Sequence, residues 1–251
     1  MSDLRFEVCV DSIRGIVAAR DGGAARVELC AGLIEGGTTP SLGTVLVARE
    51  IQNIGVHMMI RPRGGDFLYG VEELVAMETD IATAKSAGVD GFVFGALDPD
   101  GKIDAKVTKR LIERARPASV TFHRAFDMVP DAMEALKTLI DLGVDRVLTS
   151  GLAPTAFEGA ETIAELVKAA GDRIIVMPGG GITERNAARV VSITGAREFH
   201  FAALKPVPSG MRYRSPDMYM GGELRPPEYD RLDTQLQSVA TIIGAAGKGG
   251  R

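Results

Sequence analysis

Short apolar runs alternate with longer segments of helical periodicity along most of the chain. Such runs predict strands buried on both faces, and the segments between them predict amphipathic helices. Eight repeats of a strand–helix unit close into a (β/α)8 barrel (TIM barrel) more readily than they form an open sheet. The predicted strands are 6–10, 26–30, 56–60, 91–94, 119–122, 146–148, 174–177 and 198–201. The predicted helices are 12–20, 44–53, 72–87, 104–115, 131–142, 161–170, 183–194 and 229–245.

A recurring glycine fixes the register of the even-numbered strands. Each of these strands is preceded by a glycine at the end of a helix, where a left-handed conformation is needed and a side chain would be strained. The four glycines are Gly23, Gly88, Gly143 and Gly195. This register places Glu28 and His200 at one level and Cys30 two residues further on. An outward glutamate would lie beneath apolar helices at a desolvation cost of several kcal/mol, so we expect these side chains to face the barrel interior.

Composition narrows the class of protein. The chain has 251 residues, 45% hydrophobic and 25% charged, with a formal net charge of −4. This length suits one barrel domain spanning 1–251, and the charge balance argues against nucleic acid as a partner. Neither an export signal nor an apolar run of about 18 residues is visible, so we expect a cytoplasmic protein without a membrane partner. The two cysteines are then expected as thiols.

Both cysteines lie in a repeated Glu-x-Cys spacing, Glu7 with Cys9 and Glu28 with Cys30. Neighbouring strands are about 4.8 Å apart, so two inward sulfurs can share one ion. Thiolates favour Cu(I) or zinc over hard cations, and Met59 on strand 3 offers a third sulfur. The alternative is that the cysteines simply pack as small hydrophobic residues.

A second group of candidates is polar and lies at the carboxyl ends of the strands, where such barrels build active sites. Carboxylates and imidazoles there suit proton transfer, and arginines suit an anionic substrate. The alternative is that these charges only pair with one another and fill the barrel mouth. The candidate catalytic residues are Glu7, Glu28, His123, Asp127 and His200. The candidate anion-binding residues are Arg61, Arg63, Arg124, Ser150, Gly179, Gly180 and Gly181.

The glycines of this set follow strand 7 and are predicted to open a helix, where backbone N–H groups can bind an anion. A tight turn that needs positive φ is the alternative explanation.

Two segments at the carboxyl-terminal end are predicted to be irregular. Residues 205–228 form a long Pro-, Gly- and Met-rich loop, which suggests a lid, a binding loop or an oligomer contact. Residues 247–251 read as a flexible tail. We expect a homo-oligomer, and the Met-rich stretch 211–220 is the candidate contact surface if the barrel acts as an interaction scaffold.

Several strings between Glu7 and about Tyr213 resemble the CutC family: EVCVDS, ELCAGLIEGGTTPS, MIRPRGGDFLY, FVFGAL, VTFHRAFDM, RVLTSG, VMPGGGIT and EFHF. The resemblance implies a (β/α)8 barrel with a role in cytoplasmic copper homeostasis. It also implies Cu(I) ligation by Cys9 and Cys30.

Two functional hypotheses follow from these residues. The first is a cytosolic Cu(I)-binding homeostasis protein that uses Cys9 and Cys30 as metal ligands. The second is a lyase, isomerase or hydrolase that acts on a small phosphorylated or carboxylated metabolite. No organic cofactor is indicated, and the expected partner is a copper ion or a small anionic metabolite.

Overall fold

Eight parallel strands form the barrel in a computed structural model that describes residues 4–220 and 228–249. Hydrogen bonds join them in the order β7-β6-β5-β4-β3-β2-β1-β8, and one parallel bridge between Gly179 and His200 completes the ring. The (β/α)8 fold is therefore confirmed. The strands are β1 Arg5–Val10, β2 Arg26–Leu29, β3 Gly55–Met59, β4 Gly91–Phe94, β5 Ser119–Phe122, β6 Arg146–Thr149, β7 Ile175–Pro178 and β8 Glu198–Phe201.

Within the part of the chain that the structure describes, eight α-helices surround the strands. Several begin where a side-chain oxygen accepts a backbone N–H of the first turn, as Ser12, Ser41, Asp104 and Asp131 do. No helix within the described residues is long and apolar enough to cross a membrane. The helices are α1 Ile13–Asp21, α2 Leu42–Arg49, α3 Val71–Ser86, α4 Ala105–Ala115, α5 Ala132–Asp141, α6 Ala160–Ala170, α7 Ala187–Thr194 and α8 Leu236–Ala246.

The register glycines behave as predicted. The φ angles of Gly23, Gly88, Gly143 and Gly195 are 94°, 79°, 73° and 64°. All four lie in the left-handed region that L side chains avoid. The even-numbered strands therefore enter the barrel through equivalent turns.

The two faces of each strand have different surroundings. Outward side chains such as Val8, Val27 and Phe122 join the main apolar core beneath the helices. Inward side chains are largely polar, and they are buried nonetheless, Glu7 and Glu28 among them. The barrel axis therefore holds charged groups that must find partners there.

Small residues on β4 make room for imidazoles from its neighbours. A Cβ atom on Gly91 would lie 2.7 Å from the ring of His57, and one on Gly95 would lie 2.7 Å from Nδ1 of His123. Both distances are far below van der Waals contact. Glycine at these two positions thus leaves the space that the two imidazole rings occupy inside the barrel.

The carboxyl-terminal region differs from the prediction. Leu204–Pro208 (β9) pairs antiparallel with Asp230–Thr234 (β10), and α8 begins only at Leu236. The predicted helix 229–245 and loop 205–228 are therefore wrong at these ends. The prolines of β9 are tolerated because an edge strand can lack some N–H donors. Residues 221–227, inside the predicted loop, lie outside the described residues.

Other predicted boundaries also shift. The helix after β7 begins at Ala187 rather than at residue 183, because the Asn186 side chain accepts the Thr183 N–H and holds a separate turn. The glycines that follow β7 therefore do not open this helix. Gly247 and Lys248 continue hydrogen-bonded turns after α8, and residues 250–251 of the predicted tail lie outside the described residues.

We predict that Gly91→Ala lowers the free energy of unfolding by about 1–3 kcal/mol, because the buried His57 ring has no space to move aside. Gly244→Ala in α8 is the matched control. A Cβ there meets no atom within 4 Å, so the change should raise stability by up to about 1 kcal/mol. Urea denaturation measures both. An equal response of the two variants would contradict the packing argument.

Candidate functional site

The two thiols meet inside the barrel. Cys9 lies on β1 and Cys30 directly follows β2, and their sulfurs are 3.8 Å apart. On the strands, Cys9 is paired with Glu28 rather than with Cys30. The stagger between neighbouring barrel strands places the Cys9 side chain between those of Glu28 and Cys30. The shear thus brings together two sulfurs that are offset in register.

Sulfur and carbon atoms surround this pair. Cys9, Cys30, Met59 and Val93 form a buried cluster separate from the main core. Gly37, with φ 89°, closes over Cys30, and a Cβ there would lie 3.0 Å from the Cys30 Sγ. Met59 therefore lies beside the thiols, where the sequence placed it.

The two thiols differ in their acid–base behaviour. The hydrogen bond between the two sulfurs, together with His200 nearby, lowers the pKa of Cys9 to about 5 against the effect of burial. Interaction with Cys9, together with burial, raises the pKa of Cys30 well above its usual range. Near neutral pH the pair therefore consists of one thiolate and one thiol.

Glu7 is the charged centre of the interior. It is fully buried, its Oε2 accepts from Arg26 Nε at 2.5 Å, and its Oε1 lies 2.8 Å from His200 Nδ1. Burial alone would raise the pKa of Glu7, but Arg26 and His200 hold it well below the usual range. Glu7 is thus a paired carboxylate rather than a free base.

A further ion-pair set continues towards the amino ends of the strands. Glu198 Oε2 accepts from Arg26 Nη2 at 2.5 Å and from Arg146 Nε at 2.7 Å, and all three residues are buried. Sequence reasoning missed this set, together with His57. A signal was available, since residues an even number of positions apart on a strand point to the same face. By this rule Arg26 faces the interior with Glu28, and Glu198 faces it with His200.

Glu28 is buried and only loosely bound. Its Oε2 lies 3.5 Å from Cys30 Sγ and 3.8 Å from His200 Nε2, and its Oε1 has no hydrogen-bond partner. Burial, reinforced by the Cys9 thiolate, raises the pKa of Glu28 well above the usual range. For His200 burial acts in the opposite direction, but Glu28, Cys9 and Glu7 together raise its pKa. Both pKa values are therefore raised, that of Glu28 chiefly by burial and that of His200 by its acidic neighbours.

His123 is held as a neutral imidazole. Its Nδ1 accepts the Ala125 N–H at 3.2 Å, which leaves the proton on Nε2. Burial, assisted by the charge of Arg61, lowers the pKa of His123 to about 3. The Nε2 atom is buried and has no hydrogen-bond partner.

Arg61 has no acidic partner. Its Nη1 donates to the carbonyls of Glu35 at 2.7 Å and Gly37 at 2.9 Å, and its Nη2 donates to that of Gly65 at 3.0 Å. Its Nε is buried without a partner, and none of the described carboxylates lies within 4.0 Å of the guanidinium. Arg61 is 6% exposed, so its charge is also withdrawn from water.

Three of the predicted residues form a separate group at the rim. Arg124 donates to Asp127 and to Ser150, each at 2.7 Å, and Asp127 also accepts the Ser150 N–H. Gly180 packs against Arg124, because a Cβ there would lie 3.1 Å from its Nη1. Asp127 is therefore occupied in holding the end of β6.

The remaining anion-binding candidates lie apart from Arg61. Arg63 pairs with Glu73 and Asp66 and stacks over Tyr69, on the outer side of the loop. Gly179 packs against Leu148 and His200, and Gly181 against Thr155. The predicted set is thus divided between the interior, the rim and the outer surface.

A cavity of about 220 Å³ opens at the carboxyl ends of the strands and joins the interior groups. Its polar lining includes Arg61, His123 and His200, and its apolar lining includes Met59 and Phe67. The full lining is Cys9, Glu28, Glu35, Gly36, Met59, Arg61, Phe67, His123, Arg124, Leu148 and His200.

Fold and site together define a (β/α)8 barrel with a buried thiol pair beneath a mixed polar and apolar mouth. The sequence model of the CutC family matches residues 4–205, and the chain belongs to this family. A Mus musculus protein named copper homeostasis protein cutC homolog is 51% identical over 241 residues, covering 96% of this chain and 89% of its own. The Homo sapiens protein of the same name is also 51% identical over 241 residues, covering 96% and 88%. The crystal structure of a CutC protein from Streptococcus agalactiae matches with a TM-score of 0.76 and 34% identity, covering 79% of this chain and 98% of that one.

We predict that His57 and His123 stay uncharged between pH 5 and 7 and that His200 titrates above its ordinary range. The pKa of His57 is lowered to about 4, chiefly by burial, that of His123 to about 3, and that of His200 is raised. Two-dimensional NMR of the imidazole groups measures the midpoints and also shows the Nε2–H form of His123. The urea-unfolded chain is the control, with midpoints near 6.5. A His123 midpoint between pH 6 and 7 would refute the buried neutral imidazole.

Proposed function

We propose that this protein binds Cu(I) through Cys9 and Cys30. The observation that carries the proposal is the 3.8 Å separation of two buried sulfurs, one of which is a thiolate near neutral pH. Thiolates are the ligands that Cu(I) prefers. The names of the mouse and human relatives support the choice of copper.

The spacing of the sulfurs suits a shared ion. Metal–thiolate bonds are about 2.3 Å for zinc, and with bonds of that length two sulfurs 3.8 Å apart subtend an angle of roughly 110° at the metal. A bent S–metal–S arrangement leaves room for a third ligand. Cys9, Glu28 and Cys30 each offer a ligand atom within 4.8 Å of the others, and Met59 belongs to the same buried cluster as the two cysteines.

The chemical nature of the third ligand decides whether the site prefers Cu(I) or Zn²⁺. The Met59 thioether is soft and favours Cu(I), whereas a carboxylate from Glu28 favours a harder ion such as Zn²⁺. Burial raises the pKa of Glu28 and so disfavours the carboxylate form that would bind a metal, which makes it the poorer ligand. Met59 is therefore our choice, in a three-sulfur Cu(I) site.

In the cell, such a site suits copper handling within the reducing cytoplasm, where both cysteines stay as thiols. Cytoplasmic location and homo-oligomeric assembly stay predictions from the sequence.

We predict that the Cys9→Ser/Cys30→Ser double variant loses more than about 100-fold in Cu(I) affinity, since even groups that only orient a metal ligand are worth about 10- to 100-fold. Anaerobic competition with a chromogenic Cu(I) chelator measures this. Equal affinity for the wild type and the double variant would overturn the proposal, as would tighter binding of Zn²⁺ than of Cu(I).

Adjacent methionines provide a matched pair for the third ligand. Met59→Leu removes the sulfur beside the thiols and should lower Cu(I) affinity about 10-fold. Met58→Leu alters a residue of the main core on the opposite face of β3 and should leave the affinity unchanged. If both variants bind like the wild type, Met59 is not a ligand.

A further inference from the structure

Unpartnered polar atoms converge on the mouth cavity. Among the described residues, eight buried side-chain nitrogen or oxygen atoms lack a hydrogen-bond partner, and three of them belong to residues that line this one cavity. They are Arg61 Nε, His123 Nε2 and Glu28 Oε1. Each such atom costs about 1–3 kcal/mol unless something binds it, so the cluster points to a ligand.

Of the cationic groups that line the cavity, which also holds Glu35, Arg61 is the one without a carboxylate within 4.0 Å among the described residues. Arg124 is paired with Asp127 and His200 with Glu7, but Arg61 has only backbone carbonyls. A buried cation without an acidic partner is unfavourable, and an anion that enters the cavity would remove this penalty. The missing partner is therefore negatively charged.

The donors left on Arg61 indicate which anion. Three of its five N–H groups are bonded to carbonyls, which leaves Nε–H and one N–H of Nη2. Nε and Nη2 lie on one edge of the planar guanidinium, and that edge matches the two oxygens of a carboxylate.

His123 supplies a second, different donor. Its Nδ1 accepts from Ala125, so Nε2–H is fixed as a neutral donor that suits an uncharged oxygen. The Phe67 ring ties the two groups together, with its centre 4.9 Å from the His123 ring and 5.3 Å from the Arg61 guanidinium carbon. A carboxylate at Arg61 with an adjacent carbonyl or hydroxyl oxygen near His123 would satisfy both.

The cavity walls limit the size and polarity of the remainder of the ligand. Met59, Phe67 and Leu148 give the cavity an apolar side, and its 220 Å³ corresponds to roughly seven water molecules at about 30 Å³ each. A short carbon chain fits this space.

We propose that the mouth cavity is a binding site for a short-chain 2-oxo or 2-hydroxy carboxylate, held by Arg61 and His123 next to the thiol pair. Arg61 binds the carboxylate, His123 donates to the oxygen on the neighbouring carbon, and Met59, Phe67 and Leu148 contact the chain. This function is additional to copper binding and does not depend on it.

Isothermal titration calorimetry with a panel of short-chain 2-oxo and 2-hydroxy acids, pyruvate and lactate included, tests the proposal. At least one member should bind at millimolar concentration or below. Its methyl ester, which lacks the charge, should not bind, and the parent acid without the 2-oxygen should bind more weakly. If no member binds, or if the ester binds equally well, the proposal is overturned. Inorganic phosphate that binds more tightly than every acid would also overturn it.

Variants assign the binding to the two residues. Arg61→Lys keeps the charge but loses the two-donor edge, and it should weaken binding about 10- to 100-fold. His123→Phe should abolish the preference for the acid with a 2-oxygen. Arg63→Lys, two residues away and paired with Glu73 and Asp66, is the matched control and should bind like the wild type. Circular dichroism checks that each variant is folded, and the ester comparison tests the site even if Arg61→Lys does not fold.

The Cys9→Ser/Cys30→Ser variant separates the two functions. It should lose Cu(I) and retain the carboxylate. Loss of both in the folded variant would show that the carboxylate binds through the thiols, which contradicts the assignment to Arg61 and His123.

Discussion

The interior depends on one buried carboxylate. Glu7 is removed from water entirely and is held ionised by Arg26 on one side and His200 on the other. Desolvation destabilises a buried carboxylate by several kcal/mol, so an isolated one would be protonated. Glu7 therefore keeps its negative charge only because Arg26 and His200 lie beside it. Through Arg26 the same charge balance extends to Glu198 and Arg146. The barrel axis thus consists of alternating charges rather than the branched aliphatic layers usual in this fold.

Towards the carboxyl ends of the strands, the buried charged groups are no longer all paired with one another. The chemistry of the barrel mouth follows from these unpaired groups. His200 uses Nδ1 for Glu7, and its other side faces Glu28 and the thiols. Its positive charge favours a thiolate at Cys9. Further out, Arg61 and His123 have donors without acceptors. The molecule therefore passes along its axis from satisfied ion pairs, through the buried thiol pair, to donors without acceptors.

The sequence predicted the features that depend on local periodicity. Strand positions, the left-handed glycines and the meeting of Cys9 and Cys30 follow from alternation along a strand and from the repeated Glu-x-Cys spacing. Strand parity could indicate that Arg26 and Glu198 face the interior, but not that they pair with each other, because they lie 172 residues apart in the chain. The β9–β10 pairing joins Leu204 to Thr234 across a long segment with no hairpin turn signal. Arg61 was assigned to anion binding together with Arg63 and Gly179–Gly181, but alternation cannot show that backbone carbonyls hold it inside while Arg63 turns outwards.

The single bridge between Gly179 and His200 gives the ring a seam. Seven strand junctions are multiply paired, whereas β7 and β8 meet through this one bridge. Sparsely bonded parts of a protein open first in local fluctuations. His200 lies on the seam and also stabilises the Cys9 thiolate. Local opening of the β7–β8 junction would therefore move His200 and change the nucleophilicity of the Cys9 sulfur. Motion of the barrel and reactivity of the thiol are thus linked through this imidazole.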